Sequence, residues 1–156
     1  MKSVLALAIA LVVVFGFVAA PANAAGWDSK PADKQDSKYV EAKKLIEAKN
    51  FAGAVPLLEQ VVAADPKDAD AYNLLGYSQR KSGNPEAALG NYQKALALDP
   101  EHRGANEYLG ELYLKMGELD KAKERLDVLD AACFFGCDEY RDLKKAISAY
   151  KEEIGG

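Results

Sequence analysis

The chain has 156 residues, the size of one ordinary domain, and 20 Lys and Arg against 24 Asp and Glu give it a formal net charge of −4. Because no basic cluster offers a footprint for phosphate groups, this balance argues against a nucleic-acid partner. One histidine, His102, and two cysteines are too few for a zinc site built from these residue types. We therefore expect neither a metal nor a cofactor.

The first 24 residues have the pattern of a cleaved export signal. Lys2 supplies a positive charge, residues 4–20 are apolar and uncharged, and Ala22-Asn23-Ala24 has the small residues that a signal peptidase requires. A retained membrane anchor is the alternative, because the apolar run approaches the roughly 20 residues that span a bilayer. We expect cleavage after Ala24, membrane contact only before that step, and location in the bacterial periplasm, with secretion as the fallback.

The ten residues after the expected cleavage site differ from the remainder of the chain. Residues 25–34 are polar, contain Pro31 and show no periodicity. This composition predicts a flexible leader, with the first packed unit beginning near Gln35.

A 34-residue period organises the rest of the chain. Small residues and prolines recur at this spacing: Ala54, Ala88 and Ala122; Pro66 and Pro100; Gly76 and Gly110; Gly83 and Gly117. Within each unit, apolar residues recur at helical spacing on both sides of a break, which predicts two helices per unit. Asn84-Pro85 after Gly83 is typical of one helix ending and the next beginning. Asp-Pro pairs at 65–66 and 99–100 predict the breaks between units.

This pattern resembles the tetratricopeptide repeat (TPR) family, in which aromatic residues, Leu-Gly, Ala and Pro recur at fixed offsets. The second unit matches best, with Tyr72, Leu75, Gly76, Ala88, Tyr92, Ala95 and Pro100. The resemblance covers roughly residues 35–136 and implies three helix-turn-helix units, at 35–68, 69–102 and 103–136. We expect Gly76 and Gly110 to lie where the two helices of a hairpin approach closely.

Residues 137–156 predict a helix that covers the end of the repeat array. Apolar residues form one stripe among charges: Tyr140, Leu143, Ile147 and Tyr150. The expected fold is all-α, an α-solenoid of three TPR-like repeats plus a C-terminal capping helix, with seven helices in total.

The resemblance implies a concave groove, lined by the first helix of each pair, that suits an extended peptide or a partner helix. The implied groove positions are Tyr39, Lys43, Ile46, Asn73, Tyr77, Arg80, Glu107, Glu111 and Leu114. Asn73 could hydrogen-bond a peptide backbone, Tyr77 could pack on an apolar side chain, and Arg80 could bind a carboxylate. Glu107 and Glu111 would favour a basic ligand segment and oppose a full carboxylate clamp. The alternative is an ordinary solvated helix surface.

Cys133 and Cys137 bracket a short loop before the capping helix. In an exported protein, two cysteines so close in sequence favour a structural disulfide. A redox-active pair and a two-thiolate site for a soft metal such as Cu(I) are the alternatives. We expect Phe134 and Phe135 to pack beneath the capping helix.

Catalytic motifs are missing from the sequence. There is no Ser/His/Asp grouping, phosphate-binding glycine loop or paired-carboxylate motif at a spacing that supports catalysis, and His102 is expected to be a plain exposed residue. We therefore expect no enzymatic activity and no small-molecule substrate. The predicted function is a periplasmic adaptor or scaffold that binds a protein or peptide segment of another envelope protein. Self-association of the chain is a further possible interaction. The alternative is a thiol-redox or soft-metal-handling accessory protein that uses Cys133 and Cys137.

Overall fold

The computed structural model describes the backbone of residues 31–155, with side chains from Ser37 onward. The predicted signal peptide, residues 1–24, and leader residues 25–30 lie outside the described residues. Every regular element within the described range is an α-helix, in the order α1 Pro31–Glu47, α2 Phe51–Ala64, α3 Ala69–Lys81, α4 Pro85–Leu98, α5 Arg103–Lys115, α6 Leu119–Ala132 and α7 Asp138–Gly155. None of these helices is long and apolar enough to cross a membrane. The predicted all-α solenoid is confirmed.

The first helix includes residues that the sequence pattern assigned to the leader. α1 is described from Pro31, so residues 31–34 are helical. The last four residues of the predicted leader therefore belong to α1.

Helix starts repeat with the 34-residue period. Asn50 and Asn84 cap α2 and α4, each accepting a hydrogen bond from the backbone N–H three residues later, at 3.1 and 3.3 Å. Asp68 does the same for α3 at 2.8 Å. Each cap satisfies an N–H that the helix itself leaves unpaired. The turns inside the hairpins repeat as well, since Gly83 and Gly117 have positive φ values and Lys49 takes the same conformation at φ 59°.

His102 is more than the exposed residue that the sequence predicted. Its Nδ1 accepts the backbone N–H of Ala105 at 3.1 Å and so caps α5. Its Nε2 lies 3.0 Å from the Asp70 carboxylate on α3, and only 11% of the side chain is exposed. The expectation was wrong because the cap position turns the imidazole toward the preceding repeat.

The closest approach inside the second hairpin lies at Gly76 on α3. A Cβ atom placed there would be 2.8 Å from Cε1 of Tyr92 and 3.2 Å from the Ala88 carbonyl oxygen, both on α4. Tyr92 and Ala88 are fully buried, and they pack with Leu109 of the next hairpin. The predicted close approach at Gly76 is confirmed, and Tyr92 ties two hairpins together.

Gly110 lies against the capping helix. A Cβ at Gly110 would lie 2.5 Å from a methyl carbon of Leu143 on α7, nearer than any atom of α6, its hairpin partner. Leu143 and Ile147 are buried with Leu114, Ala122 and Leu129, and Tyr140 and Tyr150 pack around them. The stripe on α7 therefore covers the end of the solenoid as predicted, and Gly110 admits the capping helix.

Three odd-numbered helices, α3, α5 and α7, lie next to one another along one side of the stack. α3 contacts α5 and α5 contacts α7 directly, whereas α2 and α4, and α4 and α6, make at most sparse contacts among the described residues. In a stack of hairpins, the side with the closer helix spacing is the concave one. The groove therefore lies on the side of α3, α5 and α7.

We expect Gly76→Val to lower the free energy of unfolding by about 1–3 kcal/mol, because the added side chain would press on the Tyr92 ring and the Ala88 carbonyl. Gly90→Val is the matched control, since a Cβ at Gly90 meets nothing within 4 Å; we expect its effect to stay within about 0.5 kcal/mol. Urea denaturation of both variants measures the difference. Equal stability would contradict this account of the hairpin.

Candidate partner-binding groove

The centre of the groove is a platform of aromatic rings. The rings of Tyr77 on α3 and Tyr108 on α5 lie 4.8 Å apart, centroid to centroid, with a 38° tilt. Phe51 meets the other side of Tyr77 edge to face at 5.7 Å. Both tyrosines are half-buried, so part of each residue remains accessible to a ligand. We call Tyr77 and Tyr108 the aromatic platform.

Arg80 and Glu111 neutralise each other beside this platform. Arg80 Nη1 donates a hydrogen bond to Glu111 Oε2 at 2.7 Å, and the two side chains are 4% and 31% exposed. The guanidinium carbon lies 5.8 and 5.5 Å from the Tyr77 and Tyr108 ring centroids, within the range of cation–π attraction. The sequence offered Arg80 for a ligand carboxylate and Glu111 for a basic ligand. Both expectations change, because each residue already has an opposite charge as its partner.

The pKa of the Glu107 carboxyl group is shifted from its ordinary value. The pKa of Glu107 is raised from 4.5 to about 7, and burial is the largest cause. The neighbouring carboxylates Glu111, Asp142 and Glu139 contribute to the same rise, and Arg80 acts in the opposite direction. At neutral pH, Glu107 is therefore partly protonated and offers a hydrogen-bond donor as well as an acceptor.

The remaining predicted groove residues differ in how open they are. Lys43 is exposed, with its Nζ 5.9 Å from the centre of the Tyr39 ring. Tyr39 and Ile46 pack partly against the core of the first hairpin. Asn73 is 7% exposed, with Nδ2 against Gly104 of α5. Leu114 is buried in the core beneath α7, so it serves the fold more than a ligand.

α7 extends the groove, which the sequence pattern did not indicate. A cleft of about 630 Å³ lies between α3, α5 and α7. Its lining includes residues that were not among the predicted groove positions: Lys81, Lys115, Ala146, Ala149, Tyr150 and Glu153. Tyr108 was missed too, although its place directly after Glu107 on the groove side of α5 was a usable signal. The α7 residues lie outside the 34-residue period, so the period did not assign them to the groove.

The loop between α6 and α7 contradicts one expectation. The sulfur atoms of Cys133 and Cys137 lie 2.13 Å apart and their Cα atoms 5.6 Å apart, which is bonding geometry. Gly136 takes a positive φ of 76° in the turn. Phe134 and Phe135 are 92% and 98% exposed, so the prediction that they pack beneath the capping helix is wrong.

No group of three or more His, Cys, Asp or Glu side chains within residues 37–155 is arranged to hold a metal ion. The cysteine pair therefore has no further protein ligand of these types beside it in the described part of the chain.

We expect Glu107→Gln to stabilise the protein at about pH 8 and to have no such effect at about pH 4. The folded state holds this proton more tightly than the unfolded state, so its contribution is complete below pH 4.5 and is lost as the pH rises through about 7. Chemical denaturation at both pH values measures the difference. Glu124→Gln, on the exposed part of α6, controls for the loss of one negative charge, and equal effects of the two variants would contradict the assignment.

Comparison with known proteins places this architecture among relatives. Over 124 residues, the chain is 32% identical to Tetratricopeptide repeat protein 1 of Schizosaccharomyces pombe, a match that covers 70% of this chain and 12% of that protein. It is 44% identical over 54 residues to Cellulose synthase operon protein C of Escherichia coli K12, covering 35% of this chain and 5% of that protein. The chain thus spans a small part of the curated relatives that it matches.

Solved structures share the fold at low sequence identity. The Yersinia enterocolitica type III secretion translocator chaperone SycD superposes with a TM-score of 0.70 at 17% identity, covering 80% of this chain and 88% of that one. The Sgt2 TPR domain from Aspergillus fumigatus gives 0.68 at 22% identity, covering 78% and 80%. The family model described as tetratricopeptide repeat matches residues 45–89 and 79–147, more than half of the sequence. The chain belongs to the tetratricopeptide repeat family.

Proposed function

We propose that this protein is a non-enzymatic adaptor that holds an extended or helical segment of another envelope protein in its concave groove. The observation that carries the proposal is the aromatic platform, whose half-buried rings lie beside Arg80, a residue that lines the open cleft between α3, α5 and α7. Half-buried tyrosines supply apolar contact area at little conformational cost, and such residues dominate the binding energy of protein interfaces.

The charges beside the platform indicate what kind of segment fits. Because Arg80 and Glu111 are paired at 2.7 Å, a ligand that sought either charge would first have to break a partly buried ion pair. Recognition therefore rests on an apolar or aromatic side chain stacked on Tyr77 and Tyr108. Polar groups of the ligand would meet the Glu107 carboxyl and the exposed ammonium groups of Lys81 and Lys115 at the edges.

A related fold offers a precedent for a peptide ligand. SycD of Yersinia enterocolitica has been solved in complex with a peptide of the translocator YopD, and it superposes on this chain with a TM-score of 0.66 at 20% identity. That complex supports a peptide-sized partner here, and the chemistry of the partner is set by this chain's own residues.

The proposed location is the periplasm, on the pattern of residues 1–24. An oxidising compartment also suits the cysteine pair, whose sulfur atoms lie at bonding distance. In this proposal the Cys133–Cys137 disulfide closes the loop between α6 and α7 and plays no part in binding at the groove.

A photo-crosslinking amino acid in place of Tyr77 tests the adaptor function in intact cells. We expect it to capture one recurrent envelope protein that the same probe at Lys94, exposed on α4, does not capture. With that partner purified, Tyr108→Ala should weaken binding about 10- to 30-fold, as expected for a truncated hot-spot aromatic. Isothermal titration calorimetry measures the change.

Controls separate this function from a role of the cysteine pair. Cys133→Ser/Cys137→Ser should leave the capture at Tyr77 unchanged, whereas a thiol-redox or metal-handling protein would lose its activity. The same capture pattern at Tyr77 and Lys94, or no capture by an exported and folded protein, would refute the adaptor proposal.

A further inference from the structure

The loop of residues 133–137 presents an unusual apolar surface. Phe134 and Phe135 are 92% and 98% exposed, and no other large apolar side chain in the described part of the chain exceeds 60%. Their rings meet edge to face at 5.6 Å, so they form one protruding unit. We call this unit the phenylalanine loop. Two fully exposed adjacent rings are costly in water, which points to a surface that covers them.

The sequence on both sides of the phenylalanine loop is acidic, and we call these flanking acidic residues the acidic collar. Between residues 127 and 142, five acidic residues stand against one basic residue, Arg141. Arg141 is already bonded to the Asp138 carboxylate. An anionic lipid surface would be repelled by this acidic collar. The complementary surface is an apolar cleft with basic groups at its edge.

The cleft between α3, α5 and α7 has these properties. Its apolar lining is formed by Leu114, Ala146, Ala149 and Tyr150. Lys81 and Lys115 stand exposed at its edge, Glu153 is its unpaired acidic residue, and Glu111 is neutralised by Arg80. At about 630 Å³, the cleft has room for two phenyl rings.

A molecule cannot place its own phenylalanine loop in its own cleft. The loop ends at Asp138, the first residue of α7, whereas the α7 residues of the cleft begin at Ala146 and run to Glu153. The eleven helical steps from Asp138 to Ala149, at 1.5 Å each, set the two about 16 Å apart along the helix axis. The occupant must therefore come from another molecule.

We propose that the cleft binds the phenylalanine loop of a second copy of this chain, with the acidic collar of one copy against Lys81 and Lys115 of the other. The inference rests on the proposed use of the groove for binding, and it names a second copy as one occupant. Two phenylalanine side chains and their collar bury less area than a standard interface, about 800 Å² per partner, so the association is weak and concentration-dependent. A partner segment in the groove would compete with it.

Sedimentation velocity of the purified mature protein, with the disulfide intact, tests the contact over a range of micromolar concentrations. We expect reversible association in the parent. Phe134→Ser/Phe135→Ser should raise the dissociation constant at least about 30-fold, and so should Ala149→Trp, which fills the cleft. All three positions are exposed, so the variants should keep the parent's helical circular dichroism. Leu98→Ser and Ser148→Trp, at exposed sites outside the loop and the cleft, are matched controls and should associate like the parent.

Mixing the two defective variants gives the sharpest result. The loop variant retains an intact cleft and the cleft variant retains an intact loop, so an equimolar mixture should form the complex that neither forms alone. A parent that stays monomeric, a loop variant that associates like the parent, or a mixture that stays monomeric would each overturn the inference. The inference would also be overturned if the parent bound phosphatidylcholine vesicles instead of associating with itself and the loop variant lost that binding. A monomeric parent that still captures a partner at Tyr77 would overturn this inference alone and leave the adaptor function standing.

Discussion

The contact between Gly76 and Tyr92 sets the spacing on which the rest of the structure depends. Because Gly76 has no side chain, the Tyr92 ring can lie against the α3 backbone, and the same ring packs on Leu109 of the next hairpin. One buried side chain thus fixes both the closure of a hairpin and its stacking on its neighbour. Gly110 repeats the device against Leu143 and admits the capping helix. Binding surfaces depend on this spacing, since it brings α3, α5 and α7 side by side.

The groove that results has a central ion pair that is satisfied within the protein. Arg80 and Glu111 belong to successive first helices, so their hydrogen bond joins two repeats as well as cancelling two charges. The platform of Tyr77 and Tyr108 lies next to this pair, with the guanidinium within 6 Å of both ring centroids. A rigid, locally neutral aromatic surface is suited to an apolar anchor from a partner. Glu107, with its pKa near 7, makes the acidic edge of the groove sensitive to pH around neutrality.

The sequence predicted the architecture well because small residues, prolines and helix caps recur with the 34-residue period, and these residues determine local backbone structure. It predicted the groove only in outline. Sequence spacing indicates which face of a helix a residue occupies, but it does not indicate which side chain of the next repeat that residue contacts. The Arg80–Glu111 pair joins residues 31 apart, and no pattern in the sequence indicates that these two charges cancel. Phe134 and Phe135 lie between α6 and α7, where helical periodicity does not indicate which way a side chain turns. Pro31 and the lack of periodicity favoured a non-helical leader, yet residues 31–34 are helical.

A double-mutant cycle on Arg80→Met and Glu111→Gln tests the central claim most directly, because it measures how much these two charges stabilise each other in the folded protein. The free energies of unfolding of the parent, both single variants and the double variant, measured by urea denaturation at neutral pH, give the coupling energy. The account predicts a favourable coupling of about 1–3 kcal/mol, the range of a partly buried hydrogen bond between charged groups. Coupling within about 0.3 kcal/mol of zero would contradict it, and both charges would then be free for a ligand.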